Sequence, residues 1–127
     1  MTTLLCIEDQ PDIQTILKLT LEAGGRFEVS LADTGADGVA AAAALQPNAI
    51  LLDFSLPDMD GAAVLDLLKG APRTAHIPVI MLTAMTQSAD IEACKARGAI
   101  AALIKPFNPR SLPQQVEALL RDHPAVP

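Results

Sequence analysis

The chain has 127 residues, half of them hydrophobic and 19% charged, which suits one packed domain and lies far from a disordered composition. Nine basic against fifteen acidic residues give a net charge of -6, the wrong sign for a phosphate-backbone binder, so no nucleic-acid binding by this domain is expected. No apolar run reaches the roughly 18 residues of a membrane helix, and the opening Met1-Thr2-Thr3-Leu4-Leu5 has no signal-peptide pattern, so a cytoplasmic domain with no membrane attachment is expected.

Five apolar runs alternate with five amphipathic stretches. Residues 4–7 read as the first strand. The first helix is expected over 12–23, with Ile13, Ile16, Leu17 and Thr20 on one face and Leu19 and Leu21 flanking that stripe. Asp9 or Asp12 can cap its start, Pro11 suits its first turn, and Gly24-Gly25 can stop it. A second strand over 27–31 leads to an alanine-rich helix over 36–45, short on bulk and therefore close to the sheet. The third strand, 49–52, and the fourth, 79–82, are almost continuously apolar, as strands buried on both faces are. Helices are expected over 61–69 and 89–97, a fifth strand over 100–104, and a last helix over 109–121. The domain spans residues 1–122, and the two prolines of 123–127 mark a tail that should fray. Cys6 and Cys94 lack metal-site or redox spacing and read as buried thiols.

Strand and helix repeated five times imply an α/β, doubly wound parallel sheet with right-handed crossovers. Sites in such sheets form beyond the carboxyl ends of the strands. Glu8 and Asp9 follow the first strand, Asp53 the third, Thr83 and Ala84 the fourth, and Lys105 and Pro106 the fifth. Any one acid could be a loop cap, but three converging on one rim need compensation. Two like charges about 4 Å apart repel by about 4 kcal/mol at an effective dielectric of 20. Lys105 supplies one positive charge, and a divalent ion would supply two. Oxygen donors without His or Cys favour Mg²⁺ over Zn²⁺. Without the ion, at least one of the three carboxyls should have a raised pKa. A metal, a carboxylate, a hydroxyl and an ammonium together suit phosphoryl chemistry, with Asp53 the best nucleophile candidate.

At these positions the sequence resembles the response-regulator receiver domain, the CheY-like family. The matching pieces are residues 7–11, the run from Leu51 through Asp53 to Gly61, Ile80-Met81-Leu82-Thr83-Ala84, and Gly98-Ala99 leading to Lys105-Pro106-Phe107. The resemblance implies a flavodoxin-like fold of strand order 2-1-3-4-5, the order of CheY itself. It further implies that Asp53 accepts a phosphoryl group from a phosphohistidine on a sensor histidine kinase or histidine phosphotransfer protein. Asp9, Asp53 and the Ser55 backbone carbonyl would ligate Mg²⁺, with Glu8 supporting. Thr83 and Lys105 would contact the phosphoryl group, and Lys105–Pro106 would be cis. Such a domain acts on itself rather than as an enzyme on other substrates. It reads as a stand-alone receiver or as the N-terminal part of a longer regulator.

The family's aromatic switch position on the fifth strand is Ala102 here, so the output is expected to run through residues 84–88 and the helix after them. Ser55 and Met85 occupy the positions that tune phosphate lifetime. Leu19 is a candidate contact for the phosphodonor. Met59 reads as packing and His76 as an exposed loop residue. Among rival readings, a haloacid-dehalogenase-like phosphatase would want Asp-x-Asp where Glu8-Asp9-Gln10 stands. A flavin binder would want a hydroxyl-rich phosphate loop there, and a dinucleotide fold would want Gly-x-Gly-x-x-Gly. A non-phosphorylated pseudo-receiver would not need the complete acid set.

Overall fold

A computed structural model describes residues 1–84 and 88–122. Its elements alternate strictly: β1 (Thr2–Ile7), α1 (Pro11–Glu22), β2 (Phe27–Ala32), α2 (Gly35–Leu45), β3 (Ala49–Asp53), α3 (Gly61–Gly70), β4 (Val79–Thr83), α4 (Ser88–Ala96), β5 (Ala101–Ile104) and α5 (Leu112–Asp122). All strand pairs are parallel, and the order is β2-β1-β3-β4-β5. The sequence-based fold is thus the observed one, with strand and helix limits matching or shifted by at most three residues.

The sheet divides the core into two layers because strand side chains alternate in direction. Leu5 and Ile7 of β1, Ile50 and Leu52 of β3, and Met81 of β4 pack with α2, α3 and α4 through Ala42, Val64, Leu65, Leu68 and Cys94. Leu4, Cys6, Leu51, Ile80 and Leu82 face the other way, against Leu17 and Leu21 of α1 and Leu112 and Val116 of α5. Every residue of β3 and β4 is buried, which explains why both are apolar up to their last residues, Asp53 and Thr83. Both cysteines are free and buried, and burial pushes the Cys6 thiol up to about 12. Among the described residues, no helix is long and apolar enough to cross a membrane.

Three local expectations need correction. Leu17 of the expected α1 stripe is buried and Ile13 packs partly buried beside it, and Leu19 lies off the stripe at 68% exposed, but Ile16 is 37% exposed and the flanking Leu21 takes its place in the core. Five of the helix's twelve residues are apolar and they surround more than one face, so contact with β2 and α5 decides which of them enter the core. Second, the residue capping α1 is Gln10, which makes no side-chain cap bond. Asp9 directs a carboxylate oxygen toward Glu8 and Asp53 instead, and Asp12 lies inside the first turn, where its charge suits the helix dipole. Third, α5 starts at Leu112, because Asn108 turns the chain first: its side chain accepts from Arg110 N–H and its carbonyl from Ser111 and Leu112 N–H.

The edge strand β2 is fastened to α1. Val29 N–H donates to Glu22 Oε2 at 2.9 Å, Lys18 Nζ donates to Val29 O at 2.9 Å, and Lys18 and Glu22 pair with each other at 3.2 Å. At the far end of the sheet, Arg26 pairs with Glu117 and ties the start of β2 to α5.

Two glycines set how closely helices approach the sheet. At Gly38 of α2 a Cβ would lie 2.5 Å from Ile7 Cδ1, and at Gly61 it would lie 2.7 Å from Phe54 Cα and 2.9 Å from the Asp53 carbonyl oxygen. The Gly61 neighbours are backbone at the carboxyl end of β3, which cannot rotate away. Gly61→Ala should therefore lower stability by about 1–3 kcal/mol. Gly70→Ala, with nothing within 4 Å, should leave it unchanged or raise it by up to about 1 kcal/mol. Urea unfolding followed by far-ultraviolet circular dichroism measures both.

Candidate functional site

The carboxyl ends of β1, β3, β4 and β5 bring together residues far apart in sequence. Glu8 and Asp9 follow β1, Asp53 ends β3, Thr83 ends β4, and Lys105 follows β5. Glu8, Asp9 and Asp53 each offer a carboxylate oxygen, and the three lie within 4.8 Å of one another. Lys105 Nζ stands 2.7 Å from Glu8 Oε1 and 3.2 Å from Asp53 Oδ1. The lysine is aimed partly by backbone, since its N–H donates to the Thr83 carbonyl at 2.8 Å. An open cleft of about 430 Å³ lies over this group, bordered by Asp9, Asp53, Ser55, Ala84 and Lys105.

The electrostatics follow from depth. Glu8 is fully buried, and its carboxyl is pushed up to about 7. Burial is the largest cause and a hydrogen bond shared with Asp53 the next; Lys105 and the Gln10 N–H act the other way. The raised carboxyl expected in the metal-free cluster is therefore Glu8. Burial alone would lower the Lys105 ammonium, but Glu8 and Asp53 outweigh it, so the lysine ends above its ordinary value.

The remaining sequence-derived positions are placed as follows. Thr83 is 1% exposed, one residue beyond the Asp53–Leu82 register pair. Ala84 is exposed at the cleft. Ala102 pairs with Met81 and Ile104 with Thr83, so the small residue sits two positions below the threonine, partly buried against the α2–α3–α4 layer. The Lys105–Pro106 peptide is cis. Met59 packs against the same layer, and His76 is exposed. Met85, most of the 84–88 segment and the tail 123–127 lie outside the described residues.

Two rim residues went unread in the sequence. Gln14 Nε2 donates to the Glu8 carbonyl and to Asp33 Oδ1, both at 2.6 Å, joining α1 to the ends of β1 and β2. Asp58 accepts from Gly35 and Ala36 N–H at the start of α2. Gln14 had no sequence signal, because its partners are 6 and 19 positions away. Asp58 lay inside the quoted run from Leu51 to Gly61, but the run does not reveal which helix it reaches.

The fold and rim together define a phosphorelay-type signalling module, and comparison with known proteins agrees. Residues 4–117 match the response regulator receiver domain, and the chain belongs to that family. It is 40% identical over 127 residues to the DNA-binding dual master transcriptional regulator RpaA of Synechocystis sp., covering 100% of this chain and 52% of the relative. It is 37% identical over 126 residues to the transcriptional regulatory protein KdpE of Mycobacterium tuberculosis, covering 99% of this chain and 54% of that one. The chain thus spans about half the length of these curated relatives. Among solved structures, the chemotaxis response regulator CheY4 of Vibrio cholerae superposes with a TM-score of 0.88 at 29% identity, covering 94% of this chain and 99% of that one.

The Glu8 environment gives a pH dependence. A carboxyl whose folded pKa lies above its unfolded one binds its proton more tightly when folded, so its contribution is full below the unfolded value. That contribution is lost as pH rises toward the folded value of about 7. Metal-free protein should therefore be more stable near pH 5 than near pH 8, as read by urea unfolding at each pH. Glu8→Gln should flatten this slope. A wild-type profile that is flat between these pH values, or a slope that Glu8→Gln leaves unchanged, would show that Glu8 is charged in the folded protein throughout the range.

Proposed function

We propose that this domain takes a phosphoryl group onto Asp53 from a phosphohistidine of a sensor histidine kinase or histidine phosphotransfer protein, in a Mg²⁺-dependent reaction that switches a protein-binding face. The observation that carries this reading is the pairing of Lys105 Nζ with Asp53 Oδ1 at 3.2 Å, inside a cluster of three carboxylates.

The residues present fit Mg²⁺. All the clustered donors are carboxylate oxygens, and the open cleft leaves room for the waters this ion retains. Asp9, Asp53 and the Ser55 backbone carbonyl would hold it, with Glu8 in support. When bound, Mg²⁺ offsets negative charge on phosphoryl oxygens. An Asp53 oxygen forms the new O–P bond, the N–P bond of the phosphohistidine breaks, and the imidazole leaves with the bonding pair. Lys105 is already within reach of the acceptor oxygen and counters charge on the product. Thr83, at the end of the neighbouring strand, is assigned the hydroxyl that donates to the phosphoryl group. Its movement would carry residues 84–88 and α4 with it, changing the face formed by α4, β5 and α5. Leu19 stands exposed on α1, clear of the core, and suits a contact with the phosphodonor protein.

Incubation with acetyl phosphate and Mg²⁺ should add one phosphoryl mass to the intact protein, labile to base as an acyl phosphate is. Asp53→Asn should gain none, and excess chelator should stop uptake without unfolding the protein. Equal uptake by the Asn variant sinks the acceptor assignment. Full uptake in chelator removes the metal from the reaction. No uptake by the unaltered chain would make it a docking module.

A further inference from the structure

The loop between β3 and α3 is fastened at its tip to another part of the rim. Ser55 and Asp60 form an antiparallel bridge, so residues 56–59 run out and back between them. At that tip Asp58 reaches α2: Oδ1 accepts from Gly35 N–H at 2.7 Å and Oδ2 from Ala36 N–H at 2.9 Å. These are the first two amides of α2, among the donors a helix leaves without an internal partner. The Asp37 N–H goes to the helix's own cap, Thr34 Oγ1, at 3.0 Å. The helix α2 therefore has two caps, one from its own strand–helix corner and one supplied by the β3–α3 loop. The two amides hold the Asp58 carboxyl below its usual value, Ala36 first and Gly35 second. Packing around the clamp is close: a Cβ at Gly35 would lie 2.7 Å from Met59 Cγ and 2.8 Å from Val64 Cγ2.

We propose that Asp58 is a positioning residue for the divalent-cation site, holding the Ser55 backbone at the cleft by clamping the tip of its loop onto α2. The inference rests on the reading of Asp9, Asp53 and Ser55 as that site. A carboxylate ligand can adjust by rotating its side chain, whereas a backbone carbonyl is aimed only by the conformation of its loop. Ser55 borders the cleft and belongs to the limb that Asp58 steadies. Partners that orient metal ligands without touching the ion are often worth about 10- to 100-fold in affinity.

The test is calorimetric titration of Mg²⁺ into the unaltered chain, Asp58→Ala, Asp58→Asn and Thr34→Ala, with thermal unfolding of each variant in the absence of the ion. Asp58→Ala should raise the Mg²⁺ Kd about 10-fold, and Asp58→Asn, which keeps one acceptor, should fall between it and the unaltered chain. Thr34→Ala removes the other cap of α2, so it should lower Tm and leave the Kd unchanged. That contrast separates a loop clamp from general weakening of α2. An unchanged Kd in folded Asp58→Ala, or an equal rise in Thr34→Ala, overturns the clamp. Where Asp58→Ala is unfolded at the titration temperature, Asp58→Asn carries the comparison under the same criteria. Mg²⁺ binding that survives Asp9→Asn overturns the reading of the site itself, and the clamp with it. Asp9-dependent binding with no Asp58 effect sinks the clamp alone.

Discussion

Burying Glu8 beside Asp53 is the unfavourable arrangement around which the rest of the rim is built. A carboxyl with no solvent exposure must either keep its proton or find a cation, and here it stands between the two. Lys105 reaches it from the opposite side of the central strands, which requires β5 to lie beyond β4 and the chain to turn sharply after Ile104. The order of strands is therefore also the order of charges: acid from β1, acid from β3, hydroxyl from β4, ammonium from β5. Neutral packing would not need so particular an order.

The helices serve that rim by controlling where strand ends stop. Gly38 lets α2 close on Ile7, immediately before Glu8, and Gly61 lets α3 begin against the backbone of Asp53 and Phe54. Either close approach fixes a strand terminus in place without any polar contact to the site. Gln14 and Asp58 add hydrogen bonds around the same circumference, so that the corners after β1, β2 and β3 share restraints. Among the described residues, no buried side-chain polar atom lacks a partner, as such a tightly knit polar rim requires.

Much of this was legible in the sequence, for identifiable reasons. The five strands are short apolar runs, four of them followed at once by a polar or charged residue, and parallel-sheet geometry assembles those followers without further information. The stripe of α1 was legible only in part: Ile13, Leu17 and Leu19 fall where the spacing puts them, but which of Ile16 and Leu21 enters the core is decided by contact with β2 and α5. The start of α5 was displaced by a turn built on Asn108, which reads locally as helix-compatible. The Asp58 clamp was invisible because it depends on where the second strand–helix corner falls in space.

The fastening of α1 to β2 has a consequence for how copies of this domain meet. As an outer strand of the sheet, β2 is a natural template for an incoming β-strand from another molecule. Midway along it, Val29 has both its amide hydrogen and its carbonyl oxygen occupied by an ion pair from the adjacent helix. A visiting strand would have to separate Lys18 from Glu22 before it could continue the sheet. The pair thus acts as a guard on this margin against runaway edge-to-edge stacking.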